Sequence, residues 1–78
     1  MKLEEQDIVK FDNNKEYIIV KILNYNNNRY FYFTALKNIE PKYVIMKEAL
    51  EMGKYTFSKL DDDEFDLVKD KFALSFGD

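Results

Sequence analysis

Tyr25 to Thr34 reads YNNNRYFYFT: three asparagines and an arginine, then four aromatic residues in a row. Asparagine tolerates the positive φ of a tight turn, and aromatic residues favour strands, so the stretch reads as a hairpin turn entering an apolar strand. The run before it, EYIIVKILNY from Glu16 to Tyr25, is rich in Ile, Val and Tyr and supplies the other strand. With Asn27-Asn28 as a two-residue turn, Ile22 lies opposite Phe33, Val20 opposite Ala35 and Asn24 opposite Phe31. A three-residue turn would set Lys21 against Phe33, so the hydrophobic pattern selects the two-residue register. The same reasoning at Asn13-Asn14 joins a short strand, DIVKF, and sets Val9 against Ile18.

This three-stranded meander has an expected inner face of Val9, Phe11, Ile18, Val20, Ile22, Phe31, Phe33 and Ala35. The chain continues through a loop at Asn38–Lys42, where Pro41 resists a central strand. Tyr43–Leu50 then reads as a fourth strand and Tyr55–Lys59 as a fifth, about a turn at Glu51–Lys54. Lys47 to Met52 followed by Gly53 also fits a short helix with a glycine stop. Asp61–Glu64 opens the last element, with an Asp as N-cap and further carboxylates beside the positive end of the helix dipole. Phe65, Val68, Phe72 and Phe76 follow at helical spacing. The expected architecture is α+β: a coiled antiparallel meander of about five strands with one C-terminal helix packed on it. Strands are expected at about 7–12, 16–25, 29–37, 43–50 and 54–59, the helix at about 61–76, all in one domain spanning 1–78.

Composition narrows the function. The 78 residues include no cysteine and no histidine. Disulfides, thiol nucleophiles, imidazole bases and the usual zinc ligands are thereby excluded. No serine or threonine sits in a nucleophile motif and no glycine-rich loop could cradle phosphate. The expectation is a protein that is not an enzyme and takes no cofactor. Charge is uneven: residues 1–60 carry a net +2 and residues 61–78 a net −5 within a total of −3. The start of the sequence is charged throughout, so no signal peptide is expected, and no apolar run approaches a membrane span. A cytoplasmic location is expected, and the abundance of Ile, Lys, Tyr and Asn points to an A+T-rich bacterial genome.

Two ligand readings of particular segments are weak. RYFYFTAL pairs Arg29 with aromatic rings, as an RNA-binding strand does, but alternate residues of a strand face opposite ways, so Phe31 and Phe33 cannot serve the ligand that Tyr30 and Tyr32 would stack. The net negative charge also opposes nucleic-acid affinity. DDDEFD, Asp61–Asp66, lacks the alternating ligands and glycine of a calcium loop and reads as a helix cap; no metal is expected.

What the expected inner face leaves over is a second apolar face bearing Ile8, Tyr17, Ile19, Leu23, Tyr25, Tyr30, Tyr32 and Leu36. One helix covers one face of a small sheet. The other must be closed by coiling into a partial barrel, by a second copy or by a partner. Tyr17, Tyr25, Tyr30 and Tyr32, with Leu67 and Leu74 on the helix flank away from Phe65 and Phe72, are therefore the candidate contact surface. The functional expectation is an interaction or regulatory module that binds an unidentified protein or itself. The alternative is an RNA- or DNA-associated accessory protein using Lys10, Lys21, Arg29, Tyr30 and Tyr32.

The order of these features resembles the small bacterial family catalogued as domain of unknown function 1292. DIVKF, EYIIVKILNYNNNRYFYFTAL, YVIM and the ending LDDDEFDLVKDKF carry the resemblance over residues 6–73. It implies the fold and a small cytoplasmic bacterial protein, and brings no catalytic or binding residue with it.

Overall fold

The computed structural model describes residues 3–11 and 14–76. Five strands, β1 (Ile8–Lys10), β2 (Glu16–Tyr25), β3 (Asn28–Ala35), β4 (Tyr43–Glu51) and β5 (Lys54–Lys59), precede one helix, α1 (Asp62–Phe76). They form a single antiparallel sheet in the order β1-β2-β3-β4-β5. The sheet curls into a half-barrel; the face on which the Phe11 and Phe57 rings meet is its concave side, and the helix packs on the opposite, convex one. Residues 47–51 lie in β4, so the helical alternative for this segment does not hold.

Two turns carry the same signature. Asn26 and Asn27 have φ of 53° and 63°, and Met52 and Gly53 have φ of 50° and 79°, the left-handed pair of a type I′ hairpin whose twist matches that of the flanking strands. The β2–β3 turn thus sits one residue earlier than expected, at Asn26-Asn27, and Ile22 faces Phe31 rather than Phe33. The register then shifts between Ile19 and Lys21, leaving Val20 as the extra residue of a β-bulge. Beyond the bulge Ile19 pairs with Phe33 and Tyr17 with Ala35. The bulge exchanges the faces of everything before it, so Tyr17 and Ile19 take the inward places expected for Ile18 and Val20. In the first hairpin Val9 pairs with Tyr17, not Ile18. Phe11 N–H donates to Lys15 O at 2.9 Å, and the expected turn at Asn13-Asn14 falls partly outside the described residues, which omit Asp12 and Asn13.

The described residues form two cores, one on each face of the sheet. On the concave side Tyr17, Ile19, Phe31 and Phe33 are buried, and Val9, Phe11, Ile22, Val44, Met46 and Phe57 pack against them. On the convex side Tyr30 and Ile45 are buried beneath Val68 and Phe72 of α1, flanked by Leu23, Tyr25, Tyr32 and Phe65. The helix therefore covers the tyrosine face, and coiling closes most of the phenylalanine face, the reverse of the expected division. Asp61 caps the helix: its Oδ1 accepts the Glu64 N–H at 2.7 Å and its carbonyl accepts the Phe65 N–H at 2.8 Å.

Candidate functional site

The expected contact surface is dispersed by this arrangement. Tyr17 and Tyr30 are each 2% exposed, and they lie on opposite faces of the sheet. They are core residues, because the bulge turns Tyr17 inward and the helix lands on Tyr30. The Tyr17 hydroxyl donates to the Pro41 carbonyl at 2.6 Å. Tyr25 lies under Lys71, whose ammonium sits 4.2 Å from the ring centre. Tyr32 is stacked on Tyr43 and meets Phe72 and Phe76. Neither Tyr30 nor Tyr32 presents an open ring face. Leu67 and Leu74 are exposed on α1.

Polar contacts fasten the helix to the convex face. The Tyr30 hydroxyl donates to Glu64 Oε2 at 2.7 Å, and Lys47 Nζ donates to the same carboxylate oxygen at 3.1 Å. Burial and the adjacent Glu64 carboxylate push the Tyr30 hydroxyl above its usual pKa. The hydroxyl stays protonated and donating. Arg29 is likewise engaged: it lies 5.0 Å from the Phe31 ring centre, pairs with Glu48 at 3.5 Å and donates to the Leu3 carbonyl.

The concave face reaches solvent. Between its two edge strands runs an open groove of about 700 Å³. Phe11, Tyr17, Val44, Met46 and Phe57 supply its apolar lining, and Lys10, Lys15 and Lys59 line it as well. The rings of Phe11 and Phe57 meet across the seam at 6.1 Å, and both contact Phe33, at 5.4 and 5.2 Å. Side chains thus bridge β1 and β5 where no backbone ladder does.

Register shows which backbone groups those edges offer. The type I′ turn makes Glu51 and Lys54 a hydrogen-bonded pair, and alternation along an antiparallel ladder then turns the N–H and C=O of Tyr55, Phe57 and Lys59 outward. In β1, the bonds Phe11 N–H to Lys15 O and Ile19 N–H to Asp7 O turn Ile8 and Lys10 outward by the same rule. Among the described residues, no backbone hydrogen bond from a turn or loop reaches Lys54–Lys59. The groove is flanked by a free β edge on either side.

The groove joins apolar rings, outward backbone donors and acceptors, and cations. Among the described residues no group of three carboxylates, histidines or cysteines could hold a metal ion, and no helix is long and apolar enough to cross a membrane. The sequence signal for this site was slight: Phe57 stands alone in a polar strand, KYTFSK, with lysine at both ends. No protein-family model, curated protein or solved structure matches the chain.

Proposed function

We propose that the protein is a non-catalytic interaction module that binds another protein through the seam of its half-barrel, by adding a strand to β5. The observation that carries this reading is the free β5 edge beside an apolar groove. An extended chain laid there satisfies its backbone on Tyr55, Phe57 and Lys59 while its side chains reach the exposed rings. A lipid or small aromatic ligand would use the rings but leave the backbone groups to water. The helix flank at Leu67 and Leu74 offers apolar area without backbone groups and is secondary. We further propose the kinship with the domain of unknown function 1292, supported by the order of elements and by the Asp61–Phe72 ending; it adds no activity.

Proline separates the edge from the ladder. Tyr55→Pro removes an outward N–H from a residue that is 69% exposed, whereas Thr56→Pro removes one that bonds to β4. Tyr55→Pro should fold and lose the proteins that wild type captures from its native host, as read by affinity purification and mass spectrometry. An unchanged set of captured proteins with a folded Tyr55→Pro variant overturns the proposal.

A further inference from the structure

From the groove's own residues, and resting on the strand-addition reading above, we infer the kind of segment it accepts: an extended stretch of the pattern carboxylate, any residue, apolar, any residue, apolar. Along the concave face of β5 the side chains run Lys59, Phe57, Tyr55, one every second residue, paired across β4 with Met46, Glu48 and Leu50. A strand continuing this antiparallel sheet runs opposite to β5 and meets Lys59 first, then Phe57, then Tyr55. Cross-strand neighbours interact most strongly as opposite charges and as apolar or aromatic pairs, which fixes the three alternate positions.

Charge selects against a second copy. Lys10 belongs to β1, and Lys54 and Lys59 bound β5, so edge-to-edge pairing of two chains through either strand would bring lysines together. Among the described residues neither Lys10 nor Lys59 has an ion-pair partner, whereas Arg29 and Lys47 are each paired. Of the lysines at the groove, Lys10 and Lys59 are thus available to carboxylates from outside. Leu50 and Tyr55, 62% and 69% exposed and facing each other on the concave side, extend the apolar end of the track to the hairpin tip.

Synthetic peptides test this directly. The probe is a capped heptapeptide with glutamate, isoleucine and valine at its second, fourth and sixth positions and threonine elsewhere, compared with its lysine-for-glutamate counterpart and with the reversed sequence. Binding is followed by the slowing of amide exchange at Tyr55, Phe57 and Lys59. The glutamate peptide should bind about fivefold more tightly than the lysine peptide, as expected for opposite against like charges across a strand pair. Lys59→Glu should invert that order, and the reversed peptide should bind more weakly. Equal protection of the β5 edge by both peptides would overturn the charge selection and leave strand addition standing. No protection by any of the peptides would overturn both. Protection of the edge that rises with protein concentration, with no peptide present, would identify a second copy as occupant and overturn the inference.

Discussion

The two faces of the sheet are held by different physics. The concave face is closed by rings: Phe11, Phe31, Phe33 and Phe57 contact one another edge-on or stacked, and Phe31 and Phe33 are fully buried. The convex face is closed by a helix that must land in register, and directional contacts from Tyr30 and Lys47 to Glu64 mark the place. Apolar burial is non-directional, so the concave side tolerates an open seam. The convex side does not share that freedom, because Tyr30 and Lys47 converge on one helix carboxylate, whereas the buried Tyr17 hydroxyl of the concave side meets only the loop carbonyl of Pro41. A surface that stays partly open and one that is locked thus arise back to back on the same strands.

The largest effect expected from breaking this contrast comes from the concave core. Phe33→Ala removes a fully buried ring that touches Phe11, Phe31 and Phe57, and should lower stability by about 3 to 5 kcal/mol in denaturant melts. A loss below about 1 kcal/mol would mean that the seam collapses to fill the space.

Tyr30→Phe tests the convex lock. The ring remains and the hydrogen bond to Glu64 goes, for an expected cost of about 1 to 2 kcal/mol. A pH signature accompanies it. The folded state raises the Tyr30 pKa above the usual 10.0, so its contribution is complete below pH 10 and is lost as pH climbs through the folded value. Wild type should lose stability in that alkaline range more steeply than Tyr30→Phe, as read from melting temperatures. Parallel curves for the two proteins would separate Tyr30 from the alkaline transition.

How much of this was legible in the sequence depends on the pattern in each strand. The meander, the helix and the cap were readable because asparagine turns, β-branched runs and a 3.6-residue stripe are local signals. The faces were not. Tyr17-Ile18-Ile19-Val20 is apolar at every position, so either parity buries something acceptable, and no glycine or proline marks the bulge at Val20. Three consecutive asparagines likewise allowed the β2–β3 turn to sit at Asn26-Asn27 or at Asn27-Asn28. The groove was still harder to foresee, since it exists only once β1 and β5 are brought opposite each other by the curl.

Asp61→Ala sharpens the account of the convex side at lower amplitude. It removes the acceptor for the Glu64 N–H and should cost about 1 kcal/mol and some helicity by circular dichroism. Alanine at Asp62 or Asp63 should do less, since neither provides the capping bond. Calcium should leave the melt unmoved.

The smallest expected change is a gain. Met52 holds φ of 50° at the β4–β5 turn while fully exposed, a conformation that asparagine adopts more readily. Met52→Asn should therefore raise stability by about 0.5 to 1 kcal/mol. It should do so without affecting α1, because the turn lies at the end of the hairpin that leads to the free edge.

The order of the elements along the chain has a consequence for biosynthesis. All five strands are translated before the helix, and each pairs only with its sequence neighbour, so the sheet can assemble as the polypeptide emerges. Until α1 follows, Tyr30, Tyr32 and Ile45 have no cover. The nascent protein thus passes through an interval in which its convex face is open to water. A chain truncated just after Lys59 would display a sticky, helix-less sheet, a species suited to chaperone capture or to aggregation.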